Sequence, residues 1–214
     1  MNYYLISKRI TDILFSVGGL IVLSPIIVLT AIAIKIFSPG PVLFKQQRIG
    51  QHNKLFNIFK FRTMKVGADK TTLTGKDIRI LEMLHDDARI TKIGKLLRRY
   101  GIDEIPQLIN ILIGDMSFVG PRPYTAQRLA AAESSLIFRT SVKPGLTSLV
   151  VINGGVNLSE KEMASLDWRY IIHRSFWFDI SIFLKTILFV LSGIGFNQKN
   201  HEQKEASGKM RNVW

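Results

Sequence analysis

Residues 13–34 read ILFSVGGLIVLSPIIVLTAIAI and carry no charge between Asp12 and Lys35. About 20 apolar residues in a helix span the core of a bilayer, so this stretch predicts a membrane segment. Ser24 and Pro25 interrupt it near its middle, where the proline removes a helical hydrogen bond and bends the chain. The two halves are roughly 18 and 15 Å long as helices, about the depth of one leaflet each.

The charges around this segment favour a path that enters and leaves the membrane on the same side. Lys8 and Arg9 precede the segment, and Lys35, Lys45 and the rest of a basic chain follow it. Because positive residues stay on the cytoplasmic side, a re-entrant helix–break–helix places both ends there. This path requires Ser24 and its neighbours to satisfy the carbonyl groups that the proline leaves open.

Two other interpretations apply to the same segment. An ordinary transmembrane helix with a kink remains an alternative, since such helices tolerate proline. A cleaved signal peptide is disfavoured, because the apolar run is too long and the chain that follows is basic and lacks cysteine.

The whole chain is strongly basic. Its 214 residues include 29 Lys and Arg against 16 Asp and Glu, which gives a net charge of +13. Such a surface attracts nucleic acid, anionic lipid or compounds that carry phosphate. Nucleic acid is the least favoured partner, because no nucleic-acid-binding motif is present. The absence of cysteine excludes disulfides, thiol nucleophiles and cysteine-ligated metals.

Two segments after the membrane element place basic residues on regular structure. Residues 54–64, KLFNIFKFRTM, alternate apolar and polar positions, which predicts a strand that presents Lys60 and Arg62 on one face, or else a solvated sheet edge. Residues 90–101, ITKIGKLLRRYG, predict a basic amphipathic helix that contains Arg98 and Arg99. Such a helix lies at a membrane surface or presents cations to phosphate, unless its charges form an ordinary solvated face.

These elements predict an α/β protein that is mostly helical. The apolar residues 176–196 include Asp179 and Lys185, so their helix is expected at the interface or in the core rather than across the membrane. We therefore predict a re-entrant membrane hairpin at residues 1–37 and a small cytosolic domain at 38–196, with short strands and amphipathic interfacial helices. A polar tail is expected at residues 197–214.

An adjacent pair of carboxylates, Asp103 and Glu104, stands in residues 100–123, YGIDEIPQLINILIGDMSFVGPRP. Pro106 suits the first turn of a helix, so we expect a helix to begin near Asp103. Asp and Glu at a helix start are ordinary capping residues, which is the simplest interpretation of the pair.

The second interpretation is a site for a phosphate-bearing substrate. Capping needs one carboxylate, whereas this segment has two, and three arginines stand nearby: Arg98, Arg99 and Arg122. Prolines on both sides of Arg122 stiffen its turn. Helix amides and arginines bind phosphate, and an ionised Asp103 is equipped to attack phosphorus. Glu104 is then the nearest ligand for Mg²⁺, which commonly neutralises a diphosphate.

A series of short segments matches a known pattern. In chain order they are KRITDIL, GPVLFKQQRIG, FKFRTM, DDARITKIGKLLRRYGIDEIPQLINILIGDMSFVGPRP, VKPGLTSL and the closing DWRY. With these segments the chain resembles the bacterial sugar transferases, also called monotopic phosphoglycosyl transferases, in their minimal catalytic form. The family's Ser-Pro helix break matches Ser24 and Pro25, which favours the hairpin.

The resemblance implies an enzyme at the cytoplasmic face of the bacterial inner membrane. It would move a sugar 1-phosphate from a UDP-sugar, expected to be of the N-acetylhexosamine type, to undecaprenyl phosphate and release UMP. This reaction would start the synthesis of a surface glycan or glycoconjugate, which downstream glycosyltransferases would extend.

The resemblance also implies roles for individual residues. Asp103 would be the nucleophile that forms a covalent phosphosugar intermediate, and Glu104 would help to hold Mg²⁺. The substrate contacts that the family motifs imply are Lys60, Arg62, Arg122 and Asp167, the last within DWRY. Arg98 and Arg99 are expected substrate contacts from their place beside the acidic pair.

The chain departs from the family in one later motif, and one other function competes. Family members commonly read PG-I-T-G-x-x-Q-V-N-G-R, whereas residues 144–155 read PGLTSLVVINGG, with Ser148, Val151 and Gly155 replacing Gly, Gln and Arg. This departure predicts altered donor contacts with unchanged chemistry. The competing hypothesis is a non-enzymatic membrane scaffold that binds anionic lipid or pathway partners, which gives no reason for an acidic pair beside Arg122.

Overall fold

The N-terminal apolar stretch forms two helices with a break between them. In the computed structural model, which describes residues 3–68, 88–131, 134–155 and 158–191, helix α1 runs Tyr3–Val22 and helix α2 runs Ser24–Phe37. The chain bends by 60° at the break. Within these described ranges no single helix is long and apolar enough to cross a membrane, whereas this bent pair together meets the requirement of length and composition.

The break lies at the predicted Ser24–Pro25 position, and its chemistry follows from the proline. Pro25 has no amide hydrogen to donate to the carbonyl of Ile21, four residues earlier. The hydroxyl of Ser24 donates to that same carbonyl at 2.8 Å. Serine therefore satisfies the acceptor that proline leaves open, as a helix break in a membrane requires. The predicted position of the break is confirmed, and the re-entrant path remains a prediction.

The first half of α1 is fastened to the rest of the protein by polar side chains. Arg9 donates to the carbonyls of Ile111 and Leu112, at 2.7 Å each. These carbonyls lie in the last turn of a helix, where they have no hydrogen-bond partner within the helix itself. The carboxylate of Asp12, 4% exposed, accepts a hydrogen bond at 3.0 Å from the amide of Phe118. Helix α1 is thus a rigid extension of the domain rather than a separate tether.

Helix α8, Phe176–Leu191, is fastened to α1 through its one buried charge. Asp179 lies 2.6 Å from the amine of Lys8 and accepts a hydrogen bond at 2.9 Å from the hydroxyl of Tyr170. Ile182 packs in the core at 1% exposure, while Trp177 on the same helix is 77% exposed. A paired Asp179 explains how an otherwise apolar helix carries a charge.

Two small sheets complete the domain. Strands β1, Leu43–Ile49, and β2, Leu55–Phe61, pair antiparallel, which confirms the predicted strand in residues 54–64. Strands β3, Ser117–Val119, and β4, Gly145–Thr147, pair in parallel. The main core lies between the sheets and helices, and its most buried members are Ile111, Met116, Ile182, Val119 and Tyr170.

Asn110 joins the first sheet to a helix. It lies at 0% exposure in helix α4, Gln107–Ile113, and accepts a hydrogen bond from the amide of Phe59 at 2.9 Å. Its own amide donates to the carbonyl of Asn57 at 2.7 Å. The side chain therefore satisfies backbone groups of β2 that a third strand would otherwise satisfy.

The remaining α-helices of the described residues are the basic helix α3, Lys92–Arg99, and three others: α5, Ala126–Ala131; α6, Leu149–Ile152; and α7, Glu160–His173. Helix α3 confirms the predicted amphipathic helix, and Thr91 caps it by accepting a hydrogen bond from the amide of Gly94 at 3.0 Å. The predicted tail at residues 197–214 lies outside the described residues.

The expected helix start near Asp103 is wrong. Residues Ile102–Glu104 form one 3-10 turn, and α4 begins only at Gln107, with Pro106 as its cap residue. The last hydrogen bond of this turn runs from the amide of Ile105 to the carbonyl of Ile102, and Pro106 has no amide to continue the series. Asp103 is therefore not the residue that caps α4.

The re-entrant path is tested by labelling, which the absence of native cysteine makes simple. We expect Tyr3→Cys and Lys45→Cys to react with a membrane-impermeant maleimide from the same, cytoplasmic side, because both helices return to it. Leu14→Cys serves as the matched control. Leu14 is 63% exposed on the protein itself and is expected to react only after the membrane is dissolved and the chain denatured. Labelling of positions 3 and 45 from opposite sides would establish a transmembrane path.

Candidate active site

Three segments that are distant in the chain meet at Glu104. Lys60, from β2, lies 2.7 Å from Oε1 of Glu104, and Arg122, from the GPRP turn, lies 3.0 Å from the same oxygen. Burial alone would raise the pKa of Glu104, but the two cations outweigh it and hold the pKa well below its ordinary value. Glu104 is therefore an ionised carboxylate at neutral pH.

Asp103 lies beside this ion cluster, and its side chain is less exposed to solvent than that of Glu104. It is 8% exposed, and its burial raises the pKa of the carboxyl above its ordinary value, with a further increase from the charge of Glu104. The positive charges of Lys60, Arg98 and Arg122 act in the opposite direction. The two adjacent carboxyls therefore differ: one is neutralised by direct ion pairs, and the other is shielded from water within reach of three cations.

The structure brings together some of the predicted site residues and separates others. Lys60, Arg98 and Arg122 surround the pair, and Arg98 also donates to the hydroxyl of Thr63 at 2.9 Å. Strand β2 ends at Phe61, so Lys60 lies within the strand and Arg62 follows it.

Arg62 and Arg99 have other neighbours. Arg62 is 5% exposed and donates to the carbonyl and hydroxyl of Ser38, just after the end of α2. Arg99 is exposed, and its guanidinium carbon lies 5.9 Å from the ring centre of Tyr100. Substrate contact by either arginine stays a prediction.

A family comparison now decides what kind of protein carries this cluster. A protein-family model described as Bacterial sugar transferase matches residues 3–193. The chain belongs to this family. The match runs from α1 to the end of the described domain and includes the acidic pair, so the resemblance found in the sequence is confirmed.

Individual sugar transferases show the same relationship. The chain is 38% identical over 201 residues to "Uncharacterized sugar transferase EpsL" of Bacillus subtilis (strain 168), covering 94% of this chain and 95% of that protein. It is 37% identical over 188 residues to "UDP-glucose:undecaprenyl-phosphate glucose-1-phosphate transferase" of Escherichia coli (strain K12), covering 84% of this chain and 39% of that protein.

A third relative is named for a different sugar. The chain is 35% identical over 199 residues to "UDP-N-acetylgalactosamine-undecaprenyl-phosphate N-acetylgalactosaminephosphotransferase" of Aeromonas hydrophila, covering 90% of this chain and 45% of that protein. The chain thus spans less than half the length of the Escherichia and Aeromonas relatives.

One oxygen of Glu104, Oε2, lies outside the two ion pairs, and a magnesium ion at the acidic pair stays a prediction. Among the described residues no group of three or more His, Cys, Asp or Glu side chains is arranged for a metal. Mg²⁺ that acts on phosphates commonly takes only one or two carboxylates and completes its shell with phosphate oxygens and water. Lys60 and Arg122 both approach Oε1 of Glu104, so Oε2 is the oxygen that a metal would take.

A second ion pair, which the sequence did not reveal, holds the backbone of Arg122. Arg139 donates to the backbone carbonyl of Arg122 at 3.1 Å, and its Nε lies 2.8 Å from the carboxylate of Asp167. The ring of Tyr124 lies between two guanidinium groups, 3.7 Å from Arg139 and 4.0 Å from Arg128.

This arrangement changes the interpretation of Asp167. The side chain is 1% exposed and reaches Arg122 only through Arg139, so it holds the GPRP turn rather than facing an open surface. The DWRY motif made Asp167 a candidate site residue. Its partner Arg139 lies in another segment of the chain, and no sequence motif indicated it.

The departures from the family motif have local structural roles. Ser148 caps α6 by accepting a hydrogen bond from the amide of Val151 at 3.2 Å. Gly155 has a left-handed backbone, with φ of +57°, where a side chain is strained. An arginine at position 155 therefore suits this backbone poorly. The effect of both residues on donor binding remains a prediction.

The stability of the fold is expected to depend on pH through Asp167. Burial raises the pKa of Asp167 to about 6 in spite of Arg139. Because the folded protein then binds this proton more tightly than the unfolded chain, Asp167 weakens the fold as the pH rises from about 4 to about 6. A difference of about two pKa units corresponds to about 3 kcal/mol.

Thermal unfolding of the wild type and Asp167→Asn in detergent across this pH range measures the effect. The two proteins can differ in melting temperature at every pH. As the pH rises, the melting temperature of the wild type is expected to fall relative to that of the variant. A constant difference across the range would contradict a raised pKa at Asp167.

Proposed function

We propose that this sugar transferase moves a sugar 1-phosphate from a UDP-sugar to undecaprenyl phosphate and releases UMP. The observation that carries the proposal is the paired arrangement at residues 103 and 104: a buried aspartate beside a glutamate that Lys60 and Arg122 neutralise. The names of the Escherichia and Aeromonas relatives support the substrate classes.

The reaction uses Asp103 as the nucleophile. A carboxylate oxygen of Asp103 attacks the phosphorus that bears the sugar, the bond from that phosphorus to the oxygen bridging the two phosphates breaks, and UMP leaves with the bonding electrons. The product is an acyl phosphate that links Asp103 to the sugar phosphate. A phosphate oxygen of undecaprenyl phosphate then attacks the same phosphorus, and the carboxylate of Asp103 is released.

The surrounding residues supply charge and position. Lys60, Arg98 and Arg122 neutralise the diphosphate as negative charge develops on the leaving UMP. Glu104, with Asp103 beside it, would hold Mg²⁺, which supplies further neutralisation of the phosphate oxygens when bound. Burial of Asp103 keeps water away from the acyl phosphate, whose hydrolysis would waste the donor.

The membrane element delivers the second substrate. Helices α1 and α2 expose large apolar side chains, among them Val22, Leu29, Ile36 and Phe37 at 66–74%. Because α1 is fixed to the domain by Arg9 and Asp12, the height of the site above the lipid is fixed as well. The site would then meet the phosphate of a lipid whose tail stays in the bilayer, at the cytoplasmic face where UDP-sugars are available.

The function is tested by incubating the purified protein with Mg²⁺, undecaprenyl phosphate and each of four donors: UDP-glucose, UDP-galactose, UDP-N-acetylglucosamine and UDP-N-acetylgalactosamine. We expect UMP from at least one donor, with preference for an N-acetylhexosamine. Without the lipid, release should stop after one UMP per protein, because the intermediate has no acceptor. Absence of UMP with every donor would favour a membrane scaffold.

The nucleophile is tested with Asp103→Asn, which keeps the size of the side chain. UMP release is expected to fall by about three orders of magnitude or more, as for removal of other catalytic nucleophiles. Asp115→Asn, a substitution of the same kind outside the ion cluster, serves as the matched control and should retain activity. In the wild type, a donor labelled in the sugar should label the peptide that contains Asp103. Label on a different residue, or normal turnover by Asp103→Asn, would remove Asp103 from this role.

A further inference from the structure

A buried amide next to the ion cluster has an unused donor. Gln107 is 3% exposed at the start of α4, and its Nε2 has no hydrogen-bond partner in the part of the chain that the structure describes. A buried donor that is left unpaired destabilises the fold, so proteins keep few of them without a reason.

Asn110, one turn further along the same helix, shows the contrast. Both ends of its amide are paired, with the backbone of Phe59 and Asn57, at 2.9 and 2.7 Å. The helix is thus able to satisfy a buried amide fully where the amide serves the fold. The unpaired Nε2 of Gln107 points to a different use.

Gln107 lines a narrow pocket together with the cations of the candidate active site. Lys60 and Arg122, which both contact Glu104, form part of the lining, and Arg48 adds a third positive charge. Arg48 is held in place by its hydrogen bonds to the carbonyl of Pro123 at 3.2 Å and to Gln46 at 2.6 Å. The pocket therefore combines a neutral hydrogen-bond donor with a strongly positive lining.

A phosphate oxygen is the group that satisfies both features. It accepts a hydrogen bond from an amide, and its negative charge suits the three cations. A sugar hydroxyl or carbonyl accepts the hydrogen bond but brings no charge, although Glu104 supplies only one negative charge beside the three cations.

We propose that Nε2 of Gln107 donates a hydrogen bond to a substrate phosphate oxygen that lies between Lys60 and Arg122. This inference rests on the proposed function and adds a binding residue to it. The phosphate belongs either to the diphosphate of the nucleotide donor or to the polyprenol phosphate, and the experiment separates these two sources.

Gln107→Met tests the proposal, because methionine keeps the length of the side chain and removes the donor. The melting temperature of the ligand-free variant is expected to equal or exceed that of the wild type, since the unpaired group is gone. The dissociation constant for UDP with Mg²⁺, measured without lipid, is expected to rise about tenfold. Gln47→Met, at an exposed glutamine on β1, is the matched control and should leave both quantities unchanged.

If Gln107→Met folds poorly, a second variant at the same position tests the same hydrogen bond. Gln107→Glu preserves the shape and replaces the amide donor with a negative acceptor, so UDP binding should weaken more than in the methionine variant. If the phosphate is that of the polyprenol, UDP binding stays unchanged and the KM for undecaprenyl phosphate rises instead, which supports the contact and assigns its source.

The remaining outcomes separate the two proposals. A wild type that releases UMP, together with Gln107 variants whose UDP binding and KM for both substrates are unchanged, overturns the role of Gln107 and leaves the proposed function intact. A variant that melts at a lower temperature with unchanged binding assigns Gln107 to the fold and also overturns the inference. A wild type that neither binds UDP nor releases UMP removes the proposed function itself.

Discussion

Oε1 of Glu104 accepts from Lys60 and Arg122 at once, and the site depends on this shared contact. It joins strand β2, the turn after the basic helix and the GPRP turn, three segments that are distant in the chain. Without the carboxylate, two cations would face each other across the site. With it, they are held near a second carboxyl that stays out of water, so the positive charge that the proposed diphosphate substrate needs is already in place.

The GPRP turn reaches this contact because it is held on its other side as well. Arg139 links the carbonyl of Arg122 to the buried Asp167, and the ring of Tyr124 lies between Arg139 and Arg128. Placing a buried ion pair behind an exposed one gives the exposed arginine a fixed backbone, which reduces the freedom it loses when it binds a ligand. The basic residues of the protein are thus divided into those that surround the acidic pair and those that hold the fold.

The same division applies to the membrane element. The apolar side chains of α1 and α2 face outward, while Arg9, Asp12 and Lys8 hold α1 against the ends of α4, β3 and α8. If α1 and α2 enter the bilayer as proposed, their firm attachment to the domain sets the distance between the acidic pair and the lipid. For a reaction between a soluble nucleotide and a lipid phosphate, this distance is as important as the chemistry of the pair.

The sequence by itself determined the features that depend on neighbours in the chain. The break at Ser24 and Pro25, the strand of residues 54–64, the basic helix and the adjacency of Asp103 and Glu104 all follow from local backbone rules and spacing, and the family follows from segments read in order. The start of α4 was predicted too early in the chain, because Pro106 lacks the amide that would continue the turn at Ile102–Glu104 into the helix.

Only the tertiary structure decided which cations meet the pair. Lys60, Arg62, Arg98, Arg99 and Arg122 are equivalent candidates in the sequence, yet Arg62 bonds to Ser38 and Arg99 lies over Tyr100. The partnership of Asp167 with Arg139 and the unpaired amide of Gln107 likewise appear only in three dimensions. The physical reason is that a charge contact between distant segments depends on which faces the core brings together, and hydrophobic burial chooses those faces without regard to the order of charges along the chain.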